Sequence, residues 1–371
     1  MHPRSIMTMG IGLQAGNGHA EGAGDTDSRS TANGETLDRI DHGVYRVDAA
    51  KEEFAGQQRL VDDHGMIASP VNGPREGCVH GDHCGVAFAL GVRRSLGHPR
   101  LNVTRLAMPF ETLLYDVDAA THVATITLNR PAQFNALNLD MARELMLATI
   151  AADEDPGVRC IVLTGAGKAF FAGGDLSTFG AAGDQRGALI KEMTTYFHAA
   201  ISRLSRMDAP VIAAVNGVAA GAGFSTMLAC DLVIAATSAK FTMAYTKSGL
   251  SPDGSSTWFL PRIVGLRRAQ ELTLTNRVLT APEALEWGLL TRVVDDSSLM
   301  DEVSVLSVEL ASGPTRTLGA AKRLLRDSTD QGLESQMELE ARAIAAASLT
   351  IDGREGVAAF LEKRAPKYQG R

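Results

Sequence analysis

The chain reads as an α/β domain that ends in a run of helices and follows a long N-terminal extension of low complexity. Three observations predict this. The composition breaks near residue 108, with seven of the nine histidines lying before it. Beyond the break, short apolar strands alternate with amphipathic segments, and from Ala281 onward the period is helical throughout. The expected organisation is an extension over 1–107, an α/β core over 108–298 and a helical region over 299–371.

The extension holds no helical or strand period longer than a few residues. Its stretch from Gly16 to Gly34 offers too little apolar surface to offset the entropy of ordering, so a largely disordered segment is expected. Its character fits upstream sequence read through from an earlier start codon. Cys78, His80, His83 and Cys84 carry the donor types of a tetrahedral zinc site, but their spacing matches no common structural site and reads as chance clustering. No metal is expected.

In the core, Thr112–Tyr115 and Val123–Leu128 read as paired strands around a turn at Asp118–Thr121. Asn138 is placed to cap a helix towards Ala152, with Leu139, Ala142, Leu145 and Leu147 on its apolar side. Cys160–Thr164, Val211–Val215 and Leu232–Ala235 are short apolar runs suited to buried strands, and an amphipathic segment, Ile190–Leu204, lies between the first two. Helices are then expected at Pro282–Trp287, Leu299–Ala311, Pro314–Ser328, Leu333–Ala346 and Arg354–Arg364.

Composition narrows the functional classes. Of 371 residues, 45% are hydrophobic and 21% charged, which suits a soluble chain with a substantial core. A net charge of −7 argues against general nucleic-acid binding, which needs clustered cations to displace phosphate counterions. Four cysteines do not make a disulfide framework. The most apolar stretch, Pro210–Phe224, is broken by Asn216 and glycines, so no membrane span is expected. With no secretory signal visible, a cytoplasmic protein is expected.

Two glycine-rich turns repeat one device. Phe170-Phe-Ala-Gly-Gly-Asp-Leu176 follows the first buried strand; Asn216-Gly-Val-Ala-Ala-Gly-Ala-Gly223 follows the second and opens a helix to Cys230. Small residues let a ligand approach the backbone, and a helix start leaves N–H groups unpaired. Two such donors converging on one point would stabilise an oxyanion. Either turn alone serves as well for tight packing, and neither matches a phosphate-loop spacing.

These turns sit among ordered blocks: Leu128-Asn-Arg-Pro131, Asn135-Ala-Leu-Asn138, Ile161-Val-Leu-Thr-Gly165, Phe171-Ala-Gly-Gly-Asp-Leu176, Pro210-Val-Ile-Ala-Ala-Val-Asn-Gly217 and Ser238-Ala-Lys-Phe241. Together they resemble the enoyl-CoA hydratase/isomerase, or crotonase, family over Met108–Arg371. The resemblance implies a crotonase-like spiral of ββα units with C-terminal helices that build a homotrimer, often paired into a hexamer. It implies an acyl-CoA thioester as substrate, no separate cofactor, and the amides of Gly174 and Ala222 as the oxyanion hole. Ala136, Ala172, Asp175 and Leu176 fall at substrate-contacting positions, as do Tyr245, His198 and Lys363. Arg130, Lys168, Lys363, Arg364, Lys367 and Arg371 are candidates to meet the CoA phosphates.

Hydratases of this family use two glutamates, at positions that here read Ser225 and Tyr245, and neither hydroxyl can act as a carboxylate base near neutral pH. Asp253 stands close by, before the helix towards Leu260, where its alternative role would be to cap that helix. One carboxylate can move a proton between two carbons of an enoyl thioester without adding water. The blocks Ala244–Asp253, Thr257–Arg262 and Arg354–Arg364 most resemble the 1,2-epoxyphenylacetyl-CoA isomerase branch, which implies fatty-acid or phenylacetate catabolism. His198 with Asp253 also resembles the 4-chlorobenzoyl-CoA dehalogenases, in which the aspartate attacks the ring and the histidine activates water. An enoyl-CoA hydratase-type lyase and a non-catalytic acyl-CoA-binding scaffold are the remaining alternatives. Phe134, Phe171, Phe197, Tyr245 and Trp258 are candidates to line an aromatic-accepting pocket.

Overall fold

A computed structural model describes residues 110–371. The readings for residues 1–107, the Cys78–Cys84 cluster included, lie outside the described residues. In chain order the elements begin with β1 (Leu113–Asp118), β2 (Val123–Leu128), α1 (Leu139–Glu154), β3 (Cys160–Gly165) and β4 (Ala169–Phe171). Then come α2 (Leu176–Ala181), α3 (Arg186–Arg206), β5 (Val211–Val215), β6 (Val218–Ala220), α4 (Ala222–Ala229), β7 (Leu232–Ala236) and β8 (Lys240–Thr242). The chain continues through α5 (Ser256–Val264), α6 (Leu266–Thr275), β9 (Leu279–Thr280), α7 (Ala281–Glu286) and β10 (Arg292–Val294). It closes with α8 (Leu299–Ala311), α9 (Thr315–Asp327), α10 (Leu333–Ser348) and α11 (Ile351–Leu361).

The strands form two sheets. The larger runs β1-β2-β3-β5-β7-β10, parallel except for the antiparallel hairpin β1–β2. The smaller runs β4-β6-β8-β9 and was not legible as strands, because segments of two or three residues are too short to show a period of two. Three times in succession a strand of the larger sheet is followed by a short strand of the smaller one and then by a helix. Gly173 and Gly174 lie between β4 and α2, and Gly221 lies between β6 and α4.

Every residue of β3 and β5 is buried, because helices cover both faces. Ile161, Leu163, Val211 and Ala213 face one way, into a core shared with α1, α3 and α4. Cys160, Val162, Ile212 and Ala214 face the other, where Leu299, Val303 and Ala311 of α8 close over them. α1 starts where Asn138 accepts the Met141 N–H at 3.0 Å, as its sequence predicts. α3 is longer than the expected Ile190–Leu204, and β1 extends past Tyr115 to Asp118. Asp118 then accepts the Ala120 N–H at 2.8 Å and fixes the hairpin turn.

α11 begins earlier than the expected Arg354. Thr350 caps it by accepting the Gly353 N–H, and the chain leaves the helix at Lys363 with φ 55°. Buried Asp352 then holds the terminal residues, accepting the N–H groups of Gln369 at 2.6 Å and Arg371 at 2.9 Å. Arg159 donates to the Tyr368 carbonyl at 2.9 Å. Among the described residues no helix is long and apolar enough to cross a membrane.

Candidate active site

The two glycine turns meet backbone to backbone. Gly221 precedes α4 with φ 52° and ψ −121°, and Gly173 has φ 99°, conformations that side chains disfavour. A Cβ built on Gly221 would lie 3.3 Å from the Gly173 Cα, and one on Gly173 would lie 3.1 Å from the Ala220 carbonyl. Gly221→Ala is therefore expected to cost about 1–3 kcal/mol from backbone strain. That corresponds to a drop in Tm of roughly 3–10 °C, which calorimetry would read.

The direction of the Gly174 amide follows from the register beside it. Leu137 pairs with Gly174 as a parallel bridge, in which the Leu137 N–H donates to Gly173 at 2.7 Å and the Asp175 N–H donates to Leu137 at 2.9 Å. In such a bridge the central residue's own N–H points away from the partner strand. Ala222 is the first residue of α4, where N–H groups have no intrahelical acceptor. Gly174 and Ala222 both line one cavity of about 340 Å³.

Asp253 lines the same cavity. Its carboxylate does not cap α5: Ser255 is the N-cap residue and makes no side-chain cap bond, so the capping alternative is excluded. The Asp253 carbonyl, by contrast, accepts from Ser225 Oγ at 3.0 Å, Ser256 Oγ at 2.9 Å and Ser256 N at 3.2 Å. Tyr245 Oη donates to Asp253 Oδ1 at 2.6 Å and lies 2.8 Å from Ser225 Oγ, which is fully buried. One carboxylate oxygen is thus committed to Tyr245 and the other, Oδ2, is left open. Ala244 and Ser255 flank this cluster with φ 55° and 62°, left-handed conformations that side chains disfavour.

Burial, and next the Asp253 charge, push the Tyr245 hydroxyl upward; burial, and next the Asp155 charge, push Tyr115 up to about 12. Both therefore remain protonated well above neutrality. A folded-state value above the unfolded one means that their contribution is complete below about pH 10 and lost as pH rises beyond it. In an alkaline titration their tyrosinate absorbance is expected to appear together with loss of helical circular dichroism. Full ionisation of all tyrosines with the fold intact would refute this.

His198 lies beside the cluster rather than in it. Its Nε2 is 3.7 Å from Asp253 Oδ2 and accepts the Gly254 N–H at 3.2 Å, an arrangement that puts the imidazole proton on Nδ1. The ring is half exposed and is not part of the cavity wall.

The other sequence-predicted residues divide. Ala172, Leu176 and Tyr245 line the cavity. Ala136 and Asp175 are not part of its wall: the Ala136 carbonyl and Asp175 Oδ2 both accept from Arg130, whose guanidinium pairs with Asp175 at 2.9 Å. Arg130 is therefore not a free cation. Arg364 is likewise spent on Glu355, at 2.5 and 2.9 Å, and with the Lys367 N–H holds that carboxyl near 2. Lys363 follows α11 and is not part of the cavity wall. Of the proposed aromatic lining only Tyr245 reaches the cavity: Phe171 and Phe197 are buried in the core, Phe134 is exposed, and Trp258 stacks on Arg262 at 4.1 Å. The apolar wall is instead Leu176 and Phe179 of α2, Ile190 and Met193 of α3, and Leu250. Sequence reasoning named Leu176 but missed Phe179, Ile190 and Met193, because their helical spacing is what core packing also produces, and Leu250, which lies outside any helix.

The family model for enoyl-CoA hydratase/isomerase matches residues 118–371. The 1,2-epoxyphenylacetyl-CoA isomerase of Escherichia coli K12 is 42% identical over 254 residues, 67% of this chain and 95% of that protein. The 4-chlorobenzoyl coenzyme A dehalogenase-2 of an Arthrobacter species is 38% identical over 232 residues, 62% of this chain and 84% of that protein. The crystal structure of an enoyl-CoA hydratase from Bacillus anthracis superposes with a TM-score of 0.66 at 34% identity, covering 70% of this chain and all of that one. The chain belongs to the enoyl-CoA hydratase/isomerase family.

Proposed function

We propose that this protein is an acyl-CoA isomerase in which Asp253 carries a proton between two carbons of a bound thioester. The observation that carries the reading is the position of the Asp253 carboxylate on the cavity wall that also holds Gly174 and Ala222, with one oxygen clamped by Tyr245. The thioester carbonyl would receive the Gly174 and Ala222 N–H groups, which acidifies C2. Asp253 Oδ2 takes the C2 proton, and the charge moves to the oxygen that the two amides face. In a 3-enoyl thioester the resulting dienolate spreads to C4, and the protonated Asp253 returns the same proton there. No atom is gained or lost, so no cofactor beyond the substrate's own coenzyme A is required.

Hydration would need a second carboxylate to activate water. The Ser225 and Tyr245 hydroxyls that stand at those positions are bonded to each other and to Asp253, which supports a double-bond shift instead. The apolar wall of Leu176, Phe179, Met193 and Leu250 suits an uncharged acyl group, and the name of the E. coli relative points to aromatic ones. Leu333, Met337 and Ile344 on α10 and Val357 and Phe360 on α11 are exposed apolar side chains, which supports the expected homotrimer.

Turnover of 3-enoyl-CoA in D2O tests the route. A single carboxylate is expected to return the abstracted hydrogen to C4 in part, so a fraction of the product carries no deuterium there. One deuterium at C4 in every product molecule would exclude direct return, and water addition across C2–C3 as the main reaction would overturn the assignment. A dehalogenase-like hydrolysis rests on the 3.7 Å approach of His198 to Asp253. Halide release from 4-chlorobenzoyl-CoA, abolished by His198→Ala, would establish it.

A further inference from the structure

We propose that Arg130 is a positioning residue: by joining the Asp175 carboxylate to the Ala136 carbonyl, its guanidinium aims the Gly174 N–H at the substrate carbonyl. This rests on the reading of Gly174 as an oxyanion donor.

The connections close a ring around Gly174. One guanidinium nitrogen of Arg130 reaches Asp175 Oδ2 at 2.9 Å, and the other donates to the Ala136 carbonyl. Asp175 donates its N–H to Leu137, and Leu137 donates its own to Gly173. Both neighbours of Gly174 are therefore tied to the segment that Arg130 holds. Asp175 Oδ1 is turned the other way, onto Ser177 and the Thr178 N–H, so its two oxygens brace the turn from opposite sides. The segment itself is anchored by fully buried Asn135, which accepts the Arg130 N–H at 2.9 Å and donates to the Ala169 carbonyl at 2.8 Å.

A buried ion pair is a poor choice if stability were all that this place required. An apolar pair of similar volume commonly serves as well or better, since desolvation offsets the attraction. What a planar fork adds is two acceptors read at fixed angles, on two separate stretches of chain. The side chains of Arg130 and Asp175 are 16% and 7% exposed, so water cannot easily substitute for either. An ammonium in place of the fork keeps the charge and loses one of the two directions.

The test uses the infrared carbonyl stretch of bound butanoyl-CoA labelled with carbon-13 at C1. This saturated thioester can bind but has no double bond to shift. In the unmodified protein the stretch is expected below its value in water, as the amides polarise the carbonyl. In Arg130→Lys, Arg130→Gln and Asp175→Asn at least half of that lowering is expected to disappear. With 3-enoyl-CoA, kcat is expected to fall ~10- to 100-fold while KM stays within about threefold, the pattern of a misaimed transition-state contact. If one variant fails to fold, the other two carry the comparison. A lowering of the stretch and a kcat both retained in the variants would overturn the positioning role alone. No lowering in the unmodified protein would overturn the acyl-CoA reading of the site, and the role of Arg130 with it.

Discussion

Asp253→Asn is expected to reduce kcat for the double-bond shift by ~10²–10⁴, the range contributed by a well-placed proton carrier. The substitution conserves shape, and the amide oxygen can still accept from Tyr245 Oη where Oδ1 did. The amide nitrogen replaces Oδ2, the oxygen not engaged by Tyr245, and cannot take a proton from carbon. Binding should therefore survive while chemistry fails, and KM is expected to move far less than kcat. Stopped-flow absorbance on conjugated enoyl-CoA products measures both. A variant with kcat near that of the unmodified protein would remove Asp253 from the mechanism. Acyl-CoA binding with no turnover by the unmodified protein would instead identify a binding scaffold, a possibility that shared fold alone does not remove.

The contrast with Tyr245 sharpens this expectation. Its hydroxyl is pushed upward by burial and by the adjacent carboxylate, so it serves as a fixed donor and not as a second base. With Ser225 behind it, Tyr245 occupies space in which a hydration mechanism would need a carboxylate and a water. On the proposed mechanism, the same two residues hold Asp253 in place and leave no second carboxylate at the positions where a two-glutamate hydration would need one.

How much of this was legible in the sequence differs by element. β3 and β5 were, because Cys160–Thr164 and Val211–Val215 are continuous apolar runs of strand length between turn residues. The strands β4, β6 and β8 were not: three residues carry no pattern, and their pairing exists only once the chain has wound past itself. α6, at Leu266–Thr275, was not among the expected helices; only Gly265 separates it from α5, so the two share one stretch of helical pattern. The glycine turns were visible as ligand-approach sites, yet only the parallel bridge at Leu137 reveals which way the Gly174 amide points. Arg130 reads in the sequence as a cation for phosphates, since a buried partner 45 positions away cannot be inferred from spacing.

Ala222→Pro is the sharpest removal of the proposed second oxyanion donor that this chain allows. Proline is tolerated at the first position of a helix, where its missing N–H would have had no intrahelical partner. Ala222 occupies that position in α4, and the residue before it is glycine in a conformation mirroring the extended one that proline demands of its predecessor. The fold should accept the change, while the amide hydrogen that the proposed mechanism directs at the carbonyl is replaced by a ring carbon. Loss of one such donor corresponds to ~10²–10³ in kcat, or about 2.7–4 kcal/mol. The ring also intrudes on the carbonyl's place, so KM is expected to rise with it, unlike the kcat-only loss of Asp253→Asn. Steady-state kinetics together with a thermal melt distinguish the outcomes. A well-folded Ala222→Pro protein with kcat/KM close to that of the unmodified chain would mean that the second donor lies elsewhere, and that the two glycine turns meet for packing alone.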